Sequence, residues 1–450
     1  MSNPKTIGMI SLGCPKNQVD AELMLAKLSA AGYNISDEMA GCDAVIINTC
    51  GFIDDAKREG IDNILEVAEY KAAGLVGKII VTGCMAERYH DQIMEELPET
   101  DCVVGLGDDG NIVDIVRNVL EDNGPTTYAD PDKLLLPLEG QRVLTTPNYW
   151  AYLKISEGCS NNCAFCAIPG IRGKFRSRSI ESILQEAKDL ADAGVKEVIL
   201  VGQDTGLYGK DLYGSLKLAE LLNRLCEVDG LEWIRFLYTY PERITDELLD
   251  TMAAQKKICH YLDIPLQHAD GTVLRAMHRP GNAEQFLGLI NHIKEKIPDI
   301  CIRTTVMAGF PGETEAQFNT LADFVQAAQF DNLGCFAFSP EEGTAAAAMD
   351  GQLEDEIKLH RRDLIMEQQY PIALAKNQEL VGQTLQVMVD GFDPEAECYV
   401  GRSYRNVPEI DGVVFFGSAV DLEPGIFVPV EIAAAEEYDL IGQVQEDYVL

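Results

Sequence analysis

Three short apolar runs in the first third of the chain each stop at a cysteine: "TIGMISLGC" at Cys14, "DAVIINTC" at Cys50 and "KIIVTGC" at Cys84. Between them, "QVDAELMLAKLSAAGY" and "DDAKREGIDNILEVAEYKAAG" carry apolar residues at helical spacing. Strand and helix in alternation predict a Rossmann-like parallel sheet with helices on its faces. The carboxyl ends of such strands form the ligand-binding edge, so cysteines about 35 residues apart converge there. A single cysteine beside a strand is ordinarily a packing thiol. Three at equivalent strand ends, beside Gly13 and Pro15, Gly51 and Gly83, point instead to a metal site.

A second set lies in "ISEGCSNNCAFCAIPGIRG", where Cys159, Cys163 and Cys166 share one loop with no fourth partner nearby. Structural zinc takes four closed ligands, and a disulfide framework takes an even number in a small secreted chain. Three thiolates on one loop suit a 4Fe-4S cluster in which one iron is left open for another ligand. The other seven cysteines, Cys42, Cys102, Cys226, Cys259, Cys301, Cys335 and Cys398, share no such spacing and are assigned to packing.

The 450 residues divide by texture into an N-terminal domain at 1–125, a linker at 126–147, a central domain at 148–377 and a C-terminal domain at 378–450. The central part repeats strand and helix about six times, from "AYLKIS" through "EVILVGQD", "WIRFLYTY", "YLDIPLQH" and "CIRTTVMAGF" to "DNLGCFAFS". That pattern predicts a partial (β/α)6 barrel with its active residues at the C-terminal ends of the strands. The last part has short alternating runs broken by Gly, Pro and Asp, the pattern of a small antiparallel β-barrel.

No apolar run approaches the roughly 18 to 20 residues that span a bilayer, and the start lacks a signal-peptide pattern, so no membrane is expected. Thirteen cysteines without export imply a cytoplasmic location. The formal net charge is -37, and residues 379–450 hold fifteen Asp or Glu against Arg402 and Arg405 alone. Such a surface repels phosphate backbones and attracts cationic partners, so no tight nucleic-acid binding is expected.

Cys-x-x-x-Cys-x-Phe-Cys after the first barrel strand resembles the signature of the radical S-adenosylmethionine (SAM) superfamily. With the N-terminal triad and the last barrel, the whole chain resembles the radical SAM methylthiotransferases. "ISEGCSNNCAFCAIPGIRGKFRSRSI", "YTYPERIT", "DIPLQHADGTVLRAMHR", "RTTVMAGFPGETEAQF" and "FSPEEGTAA" are most similar to the branch that modifies the β-carbon of an aspartate in small-subunit ribosomal protein S-twelve. The resemblance implies two 4Fe-4S clusters, one on Cys14, Cys50 and Cys84 and one on Cys159, Cys163 and Cys166, with SAM chelating the open iron of the second. Reductive cleavage would release a 5'-deoxyadenosyl radical, while the first cluster supplies sulfur.

It further implies Phe165 near the adenine; Gln203 with Asp204 at the SAM amino group, though Gly202-Gln203-Asp204 stands where the superfamily has Gly-Gly-Glu; Arg303 at the SAM carboxylate or in a structural ion pair; and Gly309 as a close backbone approach or a plain tight turn. His268 would line the site, and Lys174, Arg176 and Arg178 would form a solvated basic patch or meet an acidic substrate loop. No side chain is expected as catalytic acid or base. The C-terminal barrel is similar to a TRAM domain, an OB-like substrate-recognition module. The implied partners are a basic ribosomal protein, free or on the small subunit, and a low-potential donor such as flavodoxin or ferredoxin. Two readings stay open beside this one: a tRNA adenosine methylthiotransferase, and a non-catalytic iron–sulfur module on ribosomes. If both triads hold four-iron clusters, the reconstituted chain binds about eight irons, and replacing Cys14, Cys50 and Cys84 by Ala leaves about four. Iron analysis of the two proteins checks this.

Overall fold

The computed structural model describes residues 4–121, 126–128 and 137–445, so part of the expected linker, 129–136, lies outside the described residues. The first unit contains β1 (Thr6–Ser11), α1 (Pro15–Ala30), β2 (Asn34–Ser36), β3 (Ala44–Thr49), α2 (Asp54–Ala72), β4 (Lys78–Gly83), α3 (Cys84–Glu96), β5 (Cys102–Val104), α4 (Ile112–Leu120) and β6 (Thr126–Tyr128). Its strands are all parallel in the order β2-β1-β3-β4-β5-β6. The three strands legible in the sequence are thus three neighbours in a six-stranded sheet. The others are three residues each, too short to show a period.

β3 is buried along its whole length, with helix-covered cores on both faces, as a central parallel strand requires. Because β1, β3 and β4 are neighbours, the residues that follow them share one edge. Cys14 precedes α1, whose first residue is Pro15, and Cys84 opens α3. Proline suits that first helical position because its missing N–H would have no intrahelical acceptor.

The central unit runs through β7 (Trp150–Lys154), β8 (Ser156–Glu157), α5 (Ile168–Arg172), β9 (Arg176–Ser177), α6 (Ile180–Asp192), β10 (Glu197–Val201), α7 (Lys210–Tyr213), α8 (Leu218–Cys226) and β11 (Trp233–Phe236). It continues with α9 (Asp246–Ala254), β12 (Tyr261–Gln267), α10 (Gly271–Ala276), α11 (Ala283–Lys296), β13 (Cys301–Ala308), α12 (Glu315–Ala328) and β14 (Asn332–Ala337). The parallel sheets β7-β10-β11 and β12-β13-β14 are joined by a bridge from Ile234 to Ile258, giving a partial six-stranded barrel. Alternation along the strands separates two cores. Leu153, Val198, Phe236 and Ile302 pack with the outer helices, whereas Tyr152, Ile199, Tyr261 and Cys301 form an inner layer. Val19 and Leu23 of α1 and Met388 and Val407 of the C-terminal unit complete that inner layer, so both flanking units cover the barrel's inner face.

A long helix, α13 (Asp355–Gln378), leads into β15 (Thr384–Asp393), β16 (Cys398–Arg402), β17 (Val414–Gly417), β18 (Phe427–Ala435) and β19 (Leu440–Val444). These close into a barrel in the order β15-β16-β17-β19-β18, antiparallel except for the β17–β19 pair. No helix among the described residues is long and apolar enough to cross a membrane.

Buried charge clamps this barrel to the central unit. Arg402 donates to Glu197 at 2.6 Å and Arg235 donates to the same carboxylate at 3.0 Å, all three being buried. Arg405 pairs with Asp331 at 2.6 Å, and the Tyr261 hydroxyl donates to Asp411 at 2.7 Å. Replacing Glu197 by Ala leaves two buried guanidiniums without their shared carboxylate, a loss expected to cost about 3–5 kcal/mol. A lower denaturant midpoint and easier tryptic release of the C-terminal barrel are the expected readings.

Candidate metal and cofactor site

The N-terminal triad is assembled by backbone approach that only glycine allows. Gly13 has φ +90°, and a Cβ there would lie 2.6 Å from Cys50 Cβ; Gly83 has φ +93°, and its Cβ would lie 2.4 Å from the Thr49 carbonyl oxygen. Asn17 then pins the loops together. Its amide nitrogen donates to the Leu12 and Thr49 carbonyls, each at 3.0 Å, just ahead of Cys14 and Cys50. Its Oδ1 accepts a 3.7 Å contact from Cys84 Sγ and a 2.8 Å hydrogen bond from Arg172.

The three thiols differ electrostatically. Burial opposes ionisation of Cys14, but Lys16, Arg172 and the backbone N–H groups of Asn17 and Lys16 outweigh it and hold this thiol below its ordinary value. Burial dominates at Cys84 and pushes it up to about 12, and burial raises Cys50 as well. All three cysteines are free thiols. The described residues contain no Cys, His, Asp or Glu group closed around a single metal ion. A four-iron cluster spreads its thiolates over separate irons, so an all-sulfur set on three loops fits it in donor chemistry.

The second triad sits in the loop between β8 and α5. Gly158 has φ +74°, and a Cβ there would lie 2.3 Å from the Lys174 carbonyl oxygen; Asn162 is also left-handed, at φ +51°. Cys163 Sγ lies 3.7 Å from the Tyr240 hydroxyl and 3.9 Å from the Arg279 guanidinium, which stacks on the Tyr240 ring. Burial raises Cys159 and pushes Cys166 up to about 12, so binding iron there displaces thiol protons. Cys163 and Cys166 also line a cavity of about 750 Å³, together with Arg88 and Gln92 of α3, His278 and Thr344.

The other residues singled out in the sequence divide. Gln203 follows β10, its amide nitrogen donating to Glu157 at 3.0 Å, while its Oε1 is buried with no hydrogen-bond partner. Ser156 Oγ is similarly unpartnered, and a Cβ on Gly202 would lie 2.3 Å from it. These buried polar atoms at the strand ends fit a small polar ligand such as SAM. Phe165 packs in the outer core, and Asp204 accepts from Asn161 at 2.8 Å.

Arg303 is at the third residue of β13 and pairs with Asp263 at 3.0 Å and Asp411 at 3.5 Å, an interdomain role. Gly309, at φ +81°, makes room for Lys358 of α13, and its N–H donates to Glu313. His268 is buried between Glu313 and the Asp270 N–H. Arg178 is buried against Glu186 and the Lys154 carbonyl, apart from any solvated patch.

Periodicity did not mark the group that joins the two triads. Arg172, Glu157, Lys154 and Asp20 form a buried ion network, with Arg172 donating to Glu157 at 3.0 and 3.1 Å and to Asp20 at 2.8 Å. Burial works against the Glu157 carboxylate, but Arg172 and Lys154 hold its pKa below the usual range. The available signal was local: Asp20, Lys154 and Glu157 lie within six residues of a cysteine, in "CPKNQVD" and "LKISEGC", and Arg172 lies six residues after Cys166.

Three family models cover most of the chain: the Radical SAM superfamily over residues 153–325, Uncharacterized protein family UPF0004 over 6–105 and the TRAM domain over 381–444. Proteins named ribosomal protein uS12 methylthiotransferase RimO match nearly end to end. The one from Symbiobacterium thermophilum is 47% identical over 98% of this chain and 92% of its own, and the one from Desulforamulus reducens 48% over 98% and 100%. The Clostridioides difficile protein is 45% identical over 97% and 98%. The chain belongs to the RimO family of radical SAM methylthiotransferases.

Among solved structures, the radical SAM methyltransferase TsrM from Kitasatospora setae superposes with a TM-score of 0.56 at 14% identity, over 77% of this chain and 74% of that one. The cobalamin-dependent radical enzyme OxsB gives 0.52 at 14% identity, over 81% and 56%. Both likenesses concern the fold. As a RimO-family enzyme the chain uses SAM and two 4Fe-4S clusters. In the iron-free protein, iodoacetamide at pH 8 should modify Cys14 well before Cys84, since Cys14 ionises below its ordinary value and Cys84 only near pH 12. Peptide mass spectrometry after timed quenching checks the order.

Proposed function

We propose that this enzyme replaces a hydrogen on the β-carbon of an aspartate in small-subunit ribosomal protein uS12 with a methylthio group. The observation that carries the reading is the near end-to-end similarity to proteins of that name, together with two cysteine triads on facing loops. No side-chain base removes a proton from such a carbon at a useful rate, so the reaction needs a radical. The SAM-bound cluster supplies that chemistry when present.

In this reading Cys159, Cys163 and Cys166 hold that cluster, while Cys14, Cys50 and Cys84 hold the one that delivers sulfur. Tyr240 and Arg279 contact Cys163 Sγ and orient it. Glu157 fixes the Gln203 amide, which leaves Oε1 to accept from the SAM ammonium group. Phe165 borders the adenine, whereas Gly309, whose missing Cβ makes room for Lys358, acts through packing of α13. Arg303, engaged with two carboxylates, acts by holding the barrels together. The first domain runs past the expected boundary at 125 to include β6 at Thr126–Tyr128, the later boundaries lie at 147 and 377, and a flavodoxin or ferredoxin supplies electrons.

Charge supports a protein substrate over tRNA. Affinity for a phosphate backbone comes mainly from neutralisation by available Lys or Arg. The only two basic residues of 379–450 are both buried in ion pairs with other carboxylates, Arg402 with Glu197 and Arg405 with Asp331. Glu395, Glu397, Glu409, Asp421 and Glu423 remain exposed on the same unit. Such a face steers a basic protein by raising its encounter rate.

With SAM and a reductant, the reconstituted enzyme should add one methylthio group to uS12 and none to a tRNA anticodon stem-loop, as read by peptide and nucleoside mass spectrometry. Product on the tRNA alone would favour the sibling activity, and absence of 5'-deoxyadenosine would favour the non-catalytic module. Reversing Glu395 and Glu397 to Lys should slow association with uS12 and weaken its salt dependence while SAM cleavage stays unchanged.

A further inference from the structure

We infer that Arg172 is a positioning residue shared by the two cysteine sites: its guanidinium supplies a fixed positive charge behind Cys14, Cys50 and Cys84, and ties them to the strand end that precedes Cys159. The inference rests on the reading that both triads hold clusters.

Arg172 ends α5, six residues beyond Cys166, yet one of its nitrogens points across the unit boundary. Nη2 donates to Asn17 Oδ1 and Asp20 Oδ2, each at 2.8 Å, while Nη1 donates to both oxygens of Glu157. Asn17 is the residue whose amide pins the Cys14 and Cys50 loops and whose Oδ1 meets Cys84. Glu157 accepts in turn from the Gly158 N–H at 3.0 Å, one residue before Cys159, and from Gln203. One planar fork therefore reaches both sites, a geometry that the single-point ammonium of lysine reproduces only in charge.

Arg172 is 1% exposed, so water screens its field little. Its neighbours balance in sign: Arg172 and Lys154 face Asp20 and Glu157. Removing any one of these charges therefore changes the net charge beside the N-terminal triad by one, in a known direction. Reduction adds a negative charge to a bound cluster, and a nearby cation favours that state. Loss of the cation lowers the reduction potential, and loss of an anion raises it.

The test is a redox titration, monitored by electron paramagnetic resonance, of the full-length chain with Cys159, Cys163 and Cys166 replaced by Ala. Arg172→Gln should lower the potential of the remaining cluster, Asp20→Asn should raise it, and Arg172→Lys should stay near the parent. Loosening of the fold alone would shift both neutral variants the same way. If Arg172→Gln fails to fold or to hold iron, a raised potential in Asp20→Asn with an unmoved Arg172→Lys supports the inference. A potential in Asp20→Asn that is unmoved or lowered overturns it. A parent chain with no iron at Cys14, Cys50 and Cys84 would instead remove the reading beneath it.

Discussion

The buried network of Arg172, Glu157, Lys154 and Asp20 is the constraint from which the arrangement of the two cysteine sites follows. Four fully charged side chains withdrawn from water are tolerable only when each is paired and hydrogen-bonded. Here every member has at least two partners. Asp20 belongs to the first unit and the other three to the central barrel, so the charges are satisfied only with the units docked. Docking in turn brings α1, which follows Cys14, against the strand end before Cys159.

Docking also answers a packing problem. A six-stranded partial barrel leaves its inner face open along one side, and this one is lined by large groups such as Trp150, Tyr152 and Tyr261. α1 covers part of that face with Val19 and Leu23, and Lys16 lies 3.7 Å over the Tyr238 ring. The C-terminal barrel covers another part with Met388 and Val407. Both flanking units therefore bury apolar surface that the partial barrel alone would leave in water.

The same clamps set the character of the surface. Each arginine spent on holding the C-terminal barrel to the central one is removed from the surface, so the acidic excess of that unit faces solvent with little local opposition. Interdomain adhesion and surface charge are thus linked through one set of residues. The aromatic contacts Phe392–Tyr399 and Tyr399–Phe416 lie on the same barrel, with Phe392 exposed between acidic loops.

Much of the architecture was legible because it is periodic. Cys14, Cys50 and Cys84 could be grouped from the strand alternation before them, and Cys159, Cys163 and Cys166 from their spacing, since local order and a three- or two-residue gap survive in one dimension. The strands β2, β5 and β6 were not legible, being too short to carry a period. Nor were the partners of Arg172, Arg402 and Arg405. A charge in a sequence reads as solvated, and these become buried only when a carboxylate far along the chain, up to 205 residues away for Arg402 and Glu197, arrives beside them. Arg303 and Gly309 show the converse: both sat at plausible ligand positions, but Asp263 and Asp411 surround the first and Lys358 the second. Sequence by itself determined the elements and the two sets of thiols, because those depend on near neighbours; which charges stand behind the thiols, and which units they join, was decided only by tertiary structure, because pairing energy depends on distance in space.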